Sequence, residues 1–304
     1  MTATTKKHLV LGGTLLLLFS FLAFAAPISE AVGKTLALCG GSIIPSLFPY
    51  LVLSGLLVAA SDGIHMPGGR LFSRVFGLPR DGITAFILGA TCGFPVGAKT
   101  AAELYRSGRL SRDEAASCAA LSANTGPAFA VAAIGGALFE STSIGWLLYG
   151  MQILSAILLG VLARPREHRV VPSPPVSRAA DGGDIDLPGI VSRASLSMLS
   201  VCGSILFFSA LAALPTLLLP RAIAICVTAL LEVSNGATEG AALPLPLGLP
   251  LTAFALSFSG LSVLLQSAAE LTPSGIPVAP LMRRKLLQGA LSALLALGAL
   301  PFLT

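Results

Sequence analysis

The residues best suited to chemistry are a lysine and a glutamate one helical turn apart, Lys99 and Glu103. Lys99 is the single lysine between Lys34 and Lys285, and its surroundings are apolar. A cation in a membrane-embedded segment is costly, so it usually binds an anion or a buried carboxylate. Two hypotheses follow: Lys99 holds an anionic ligand, or it merely neutralises Glu103 at position i+4. Glu103 is itself a candidate for coupling an ion or a proton.

A second stretch of the chain repeats this pattern. Residues 93–110 and 260–277 are identical at 8 of 18 positions, which places Gln266 and Glu270 where the first lysine and glutamate stand. Apolar sequence of low complexity matches itself easily, but the shared glutamate and the shared order of flanking blocks favour a duplication. Secondary transporters often bind substrate and ion between two such repeats. We therefore predict Gln266 as a polar substrate contact and Glu270 as an ion or proton site. The alternative for Glu103 and Glu270 is that they only cap the hairpin ends at the membrane interface.

Three interruptions rich in glycine, proline and small polar residues would place irregular backbone at membrane depth. They are 91–97, 122–127 and 257–262. Such breaks are tolerated only where they are buried in protein or line a cavity. The half-helix after each break presents free N–H groups and the positive end of its dipole, which favour an anion. For any single break, a proline kink that serves only packing is the alternative.

The interruptions complete the set of candidate site residues. The predicted substrate contacts are Gly93, Pro95, Gly97, Lys99, Asn124, Thr125, Gly126, Ser262 and Gln266. The predicted sites of ion or proton coupling are Glu103, Glu232 and Glu270. No metal site and no cofactor are expected, apart from Na⁺ or H⁺ as a coupling ion.

The composition argues against several functional classes. With 54% hydrophobic and 11% charged residues, the chain carries about half the charge of a soluble domain. The net charge is +5, and the basic residues are predicted to lie in short loops, where they determine the membrane topology. This charge therefore does not indicate a nucleic acid partner. The cysteines have no CxxC spacing, which argues against a disulfide frame or a metal site. An enzyme is not expected either, because the protease-like Ser257-Phe258-Ser259-Gly260 has no histidine in the apolar segments to activate it.

The elements that must position these residues are predicted to be helices. Apolar runs of spanning length without strand alternation favour an all-α polytopic integral membrane bundle. We divide the chain into an N-terminal transmembrane helix at 1–29, a first repeat at 30–163, a cytoplasmic linker at 164–188 and a second repeat at 189–304. The N-terminal segment also looks like a secretory signal, but an uncleaved helix is preferred because everything after it is membrane-embedded.

The arginines decide between crossings and re-entrant hairpins. If residues 83–105 crossed the membrane, the three arginines that follow would lie outside, whereas a hairpin keeps them inside. We therefore predict re-entrant hairpins with tips at 91–97 and 257–262. Three crossings between corresponding helices then make the two halves inverted. One cluster, residues 283–285, conflicts with this count, because its positive charges would lie at the outer end of the last helix. Either the count is off by one in 216–250, or the cluster has a role of its own.

Five motifs together resemble a known family. They are Pro45-Ser46-Leu47-Phe48-Pro49, Gly93-Phe94-Pro95-Val96-Gly97-Ala98-Lys99, Ser122-Ala123-Asn124-Thr125-Gly126-Pro127, Glu232-Val233-Ser234-Asn235-Gly236 and Ser257-Phe258-Ser259-Gly260-Leu261-Ser262-Val263-Leu264-Leu265-Gln266. On these motifs the chain resembles the YlbJ-type sporulation integral membrane proteins. That family belongs to the nucleoside-recognition (Gate) domain group, which is similar to concentrative nucleoside transporters.

The resemblance implies transport of a small, planar, polar molecule across a bacterial inner or forespore membrane. For the sporulation branch the implied cargo is dipicolinic acid, a pyridine dicarboxylate. Besides this substrate and the lipid bilayer, the resemblance implies a homo-oligomer. Two alternatives stay open: a nucleoside or nucleobase transporter, in which Asn124 and Gln266 would read the base, and a non-transporting membrane scaffold in spore formation.

Overall fold

The structure is a computed structural model that describes residues 3–60, 66–164 and 185–303. Over these ranges the chain is helical and contains no strand, which confirms the predicted all-α class. The α-helices are α1 (Ala3–Ala23), α2 (Ala25–Leu38), α3 (Ile44–Ala60), α4 (Gly69–Phe76), α5 (Gly82–Cys92), α6 (Val96–Arg106), α7 (Arg112–Ser122), α8 (Thr142–Leu162), α9 (Leu187–Leu218), α10 (Arg221–Leu231), α11 (Val233–Ala241), α12 (Leu245–Phe258), α13 (Gly260–Leu271) and α14 (Ala279–Ala299). Two further segments are π-helical. Cys39–Ile43 joins α2 to α3, and Ala128–Leu138 follows the break after α7. Most of the predicted linker 164–188 lies outside the described residues.

Four segments of the described chain are long and apolar enough to cross a membrane: α8, α9, the run Leu245–Ser274 and α14 with its short extension. The pair α1 and α2 adds a fifth if its two helices, which meet at 91°, form one span. Large apolar side chains of α1 such as Leu16 and Phe19 are mostly exposed, as expected for a helix that faces lipid. The chain is therefore a polytopic helical membrane protein.

The sequence explains where several helices begin. α7 starts with a capping box, in which Ser111 accepts a hydrogen bond from the backbone of Glu114 and donates its own N–H to that carboxylate. α9 starts where the Asp186 carboxylate accepts the N–H of Gly189 at 2.9 Å. These caps satisfy N–H groups that the first turn of a helix leaves without intrahelical partners.

The first predicted hairpin is present. α5 and α6 each have 11 residues, about half the length needed to cross a bilayer. They pack against each other and both contact α7. Gly89 and Gly97 permit this approach, because a Cβ at either position would collide with the carbonyl oxygen of Ser122.

The second predicted hairpin, with its tip at 257–262, is wrong. α12 and α13 continue each other as one candidate span, Leu245–Ser274, which is interrupted at Ser259. The second hairpin of the structure is formed instead by α10 and α11, of 11 and 9 residues, which pack against each other. Ser259 has φ +80°, a conformation that ends α12 without turning the chain back.

Two arginine contacts show at which end of the bundle α14 begins. The Arg112 side chain at the start of α7 donates to the carbonyl of Gly275, just before α14, at 2.6 Å. Arg284 in the first turns of α14 donates to the carbonyl of Ser117 in α7 at 3.1 Å. Both helices therefore begin at one end, here called the basic end, where α6 stops and α7 starts. This corrects the predicted count of crossings and removes the conflict with the positive-inside rule.

The same succession of elements, a hairpin followed by a broken helix and then a long helix, occurs twice in the chain. It consists first of α5–α6, α7 with Ala128–Leu138, and α8, and then of α10–α11, α12–α13, and α14. Three crossings separate the two hairpins, so they enter from opposite ends. The matching sequences 93–110 and 260–277 thus fall on a hairpin and on a broken span, which are different kinds of element. The internal repeat, and the boundaries 30–163 and 189–304 drawn from it, stay predictions.

Candidate functional site

The four helix breaks of the bundle meet in its interior. The Gly93 turn of the first hairpin contacts Gly126 in the break after α7. Thr125 in the same break donates its hydroxyl to the carbonyl of Leu256 at 3.0 Å, which joins it to the end of α12. Gly260, just beyond the α12 break, contacts Glu232 at the tip of the second hairpin. We call this region, formed by the breaks at 93–95, 123–127, 232 and 259, the central layer.

Glycine is required at two points of the central layer. Gly93 has φ +82°, and a Cβ there would lie 2.7 Å from the backbone nitrogen of Gly126. Gly260 has φ +70°, and a Cβ there would lie 3.0 Å from the backbone nitrogen of Val233. Both positions combine a left-handed conformation with close backbone contact, so a side chain at either one would strain the turn and separate the breaks.

Side chains from other helices satisfy the backbone at the break after α7. The Gln152 amide of α8 donates to the carbonyl of Thr125 at 2.9 Å and accepts the N–H of Thr125 at 3.2 Å. The Asn124 side chain donates to the carbonyl of Leu121 at 2.9 Å. These bonds replace those that an unbroken helix would make, which a buried break needs to be stable.

A fully buried lysine completes this network. The ammonium of Lys285, which is 0% exposed, donates to the carbonyl of Ala123 at 2.6 Å and to the Gln288 side chain at 2.8 Å. Gln288 in turn donates to the Asn124 side-chain oxygen at 3.0 Å. The ring of Phe94, in the first hairpin turn, lies 5.8 Å from the ammonium, within range of a cation–π contact. In the described part of the chain no carboxylate forms an ion pair with Lys285.

Lys99 lies in the first turn of α6 beyond the hairpin tip, as predicted, and is only 3% exposed. It interacts electrostatically with Glu103, but among the described residues the two do not approach to ion-pair distance. The prediction that Lys99 binds a ligand is therefore open, and so is the alternative that it neutralises Glu103.

α6 packs against α13, which brings the two predicted carboxylate sites together. Glu103 is within electrostatic range of Glu270, and one of its oxygens is buried without a hydrogen-bond partner. Glu270 accepts a hydrogen bond from the Ser197 hydroxyl of α9 at 2.7 Å. The two carboxylates are thus neighbours across the α6–α13 contact, and their role in ion or proton coupling stays a prediction.

The end of α12 and the first turns of α13 hold four of the polar side chains that lack a partner among the described residues. The side chains of Ser257, Ser262 and Ser267 and the amide nitrogen of Gln266 are buried and make no hydrogen bond within the described residues. Buried polar groups normally have a partner, so such a group in a native structure points to water or a ligand. The predicted contacts Ser262 and Gln266 each have a polar atom without a protein partner in the described chain, and their role in binding stays a prediction.

The other predicted residues have structural partners. Glu232 is 1% exposed and caps α11, since its carboxylate accepts the N–H of Asn235 at 2.8 Å and the hydroxyl of Ser234 at 3.3 Å. Pro95 is the residue before α6, and its carbonyl accepts the N–H of Lys99. Asn124 and Thr125 already use polar side-chain atoms in the network of the break. Their predicted roles in binding and coupling are not tested by these contacts.

Three residues that form hydrogen bonds to the central layer were not among the sequence predictions: Gln152, Lys285 and Gln288. Gln152 is the only strongly polar side chain in the apolar run of α8, and an isolated amide in a spanning helix is a recognised sign of a functional or structural contact. The sequence pattern singled out Lys285 only as part of the cluster 283–285 at the start of the last helix, whose charges conflict with the predicted topology. Its position after two arginines concealed that α14 carries it into the bundle.

The chain was compared with known proteins. It is 27% identical over 319 aligned residues to the sporulation integral membrane protein YlbJ of Bacillus subtilis strain 168, an alignment that covers 87% of this chain and 75% of that protein. No family model matches the chain, and no solved structure matches it. The wider grouping with nucleoside-recognition proteins stays a prediction. The chain is a multi-pass helical membrane protein, and over most of its length it is similar to YlbJ.

Proposed function

We propose that this protein transports a small planar organic anion across a membrane, with dipicolinic acid as the first candidate. The observation that carries the proposal is Lys285, a fully buried ammonium at the meeting point of two helix breaks with no carboxylate paired to it in the described chain. Burying a cation without a counter-charge is expensive, so a site that does so is suited to an anion.

The geometry around Lys285 supports this role. An ammonium has three N–H donors, and the carbonyl of Ala123 and the side chain of Gln288 accept two of them. The third is available for a carboxylate. The Phe94 ring beside the ammonium offers an apolar face, which suits a flat aromatic ligand better than a branched polar one.

The polar groups at the start of α13 supply a second set of contacts. Ser262 and Gln266 are buried and have polar atoms without partners among the described residues. They lie on a helix that contacts α6, which carries Lys99. A ligand bound where α13 meets α6 would satisfy groups that are otherwise unpaired.

Transport, as opposed to static binding, is supported by the architecture. Two half-length hairpins enter from opposite ends, and each contacts a broken span in the central layer. Secondary transporters use such discontinuous helices to hold substrate near the middle of the membrane. The similar protein is named for sporulation, so we place the activity in an inner or forespore membrane of a sporulating bacterium. Dipicolinic acid itself comes from the family resemblance.

The test is uptake of labelled dipicolinate into proteoliposomes that contain the purified protein, with uridine measured in parallel. We expect the wild type to take up dipicolinate and Lys285→Met to lose at least nine-tenths of that uptake, a loss of about 1.4 kcal/mol or more. The matched control is Arg283→Gln, which removes a positive charge from an exposed side chain two residues away. It should leave uptake close to that of the wild type.

Each other outcome contradicts part of the proposal. Uridine uptake without dipicolinate uptake would favour the nucleoside alternative, in which Asn124 and Gln266 contact the base. Dipicolinate uptake that survives in Lys285→Met would mean that this lysine only satisfies the carbonyl of Ala123. Uptake of neither compound by folded protein would favour the scaffold alternative.

A further inference from the structure

A polar cavity of about 370 Å³ lies away from the central layer, between α2, α9, α10 and α11. It reaches from Thr228, on the inner side of the second hairpin, to the last turns of α9. Neither the proposed anion site nor any predicted site residue lies in its wall. It therefore needs an explanation of its own.

Three groups in the wall have no protein partner in the described chain. The Thr228 hydroxyl belongs to a side chain that is 3% exposed, and it forms no hydrogen bond. On the facing helix, the Asn235 side-chain amide and the Glu239 carboxylate, one turn apart, likewise make no hydrogen bond or ion pair. A buried hydroxyl without a partner next to a polar cavity indicates a bound water shell or ligand.

The charge of the wall favours a cation. The charged lining residues are two carboxylates, Glu30 and Glu239, and one ammonium, Lys34, which gives a net charge of −1. Lys34 is held by Glu30 at 2.7 Å, so the carboxylate of Glu239 is uncompensated within the wall. A cleft with a net negative charge attracts cations.

The cavity is open to water. The side chains of Lys34 and Glu30 are 75% and 68% exposed, which would be unfavourable if this ion pair faced lipid. The available groups are oxygen ligands of the kind that hard cations prefer. With about 30 Å³ for each water, the cavity holds roughly a dozen waters, enough for a cation with its complete first hydration shell.

We propose that this cavity binds a hydrated inorganic cation, with Glu239 as its counter-charge and Thr228 and Asn235 as contacts to its water shell. Because the cation keeps its waters, the protein oxygens do not converge on one point as they would in a dehydrated site. Small inorganic cations of different radius should therefore bind, whereas choline, an organic cation without a tightly held water shell, should not. The inference does not depend on what the protein transports.

The test is thermal unfolding of the purified protein in detergent with increasing NaCl or CaCl₂, at an ionic strength held constant with choline chloride. We expect both salts to raise the melting temperature of the wild type by about 2–4 °C at saturation. Glu239→Gln should lose at least two-thirds of this shift. The matched control Glu140→Gln removes an exposed carboxylate after the segment Ala128–Leu138 and should keep the full shift.

A second variant separates binding from folding. Thr228→Val removes a hydroxyl that has no protein partner, so the melting temperature without cation should stay the same or rise. Its cation-induced shift should still fall by at least a third. A full shift in both Glu239→Gln and Thr228→Val would overturn the proposal, and so would the absence of any shift in the wild type. Since no transport is measured, neither result bears on the proposed anion site.

Discussion

Two buried lysines, Lys99 and Lys285, are candidates for binding an anion, and their surroundings differ. Lys285 donates to a backbone carbonyl and to an amide, and no carboxylate lies in ion-pair contact with it among the described residues. Lys99 instead interacts with Glu103 one turn along the same helix. A cation with a carboxylate nearby has less attraction left for a ligand. Lys285 is therefore the stronger candidate, and Lys99 needs a test that separates binding from neutralisation.

We predict that Lys99→Met lowers dipicolinate uptake at least tenfold, because it removes a buried positive charge near the hairpin tip. The double variant Lys99→Met, Glu103→Gln decides the reason. If Lys99 binds the anion, the double variant should be as inactive as the single one, as measured by initial uptake rate in proteoliposomes. Recovery to at least half the wild-type rate would show that Lys99 only neutralises Glu103.

At the scale of elements, the positions of the breaks could be predicted from the sequence and their geometry could not. The interruptions at 91–97, 122–127 and 257–262 all lie at or next to helix ends in the structure. The first hairpin and the α12–α13 span share the same local pattern, an apolar half-helix followed by a glycine, which is Gly93 in the hairpin and Gly260 in the span. They differ only in the direction of the second half, which tertiary contacts determine.

The second hairpin shows why this direction could not be predicted. Its tip at Glu232 and Val233 has no glycine or proline that would mark a break in the sequence. The turn is stabilised by the cap that Glu232 makes on α11 and by the contact of Gly260 with the same tip. The Glu232 cap is local in sequence, whereas the Gly260 contact joins residues far apart in the chain. A local sequence pattern therefore could not predict the second contact.

The hairpin tips lead to a prediction about glycine. Gly93→Ala would place a Cβ 2.7 Å from the backbone nitrogen of Gly126 in a left-handed conformation, so we expect a loss of about 1–3 kcal/mol in stability. The control is Gly150→Ala in α8, where a Cβ meets nothing within 4 Å and helix propensity favours alanine. Thermal unfolding in detergent should show a lower melting temperature for the first variant and an equal or higher one for the second. Equal behaviour of the two would mean that the two breaks are not in contact.

At the scale of the whole molecule, the arginines and the fold agree once α10 and α11 are recognised as a hairpin. α9 then runs away from the basic end, the hairpin enters and leaves at the far end, and α12–α13 returns. α14 consequently begins beside the start of α7, where the Arg112 and Arg284 contacts place it. Arg283 and Arg284 then agree with the positive-inside rule, because they lie at the same end of the bundle as Arg112.

This topology predicts which surface positions share a side of the membrane. In a background without the native cysteines, Ser107→Cys and Thr272→Cys should react with an impermeant maleimide from the same side, since they follow α6 and α13 at the basic end. Ala242→Cys, which follows the second hairpin, should react only from the opposite side. Because positive charge marks the cytoplasmic side, we expect the first two to be labelled only after right-side-out cells are permeabilised. Labelling of Thr272→Cys from the same side as Ala242→Cys would instead mean that α12 and α13 turn back within the membrane and do not cross it as one span.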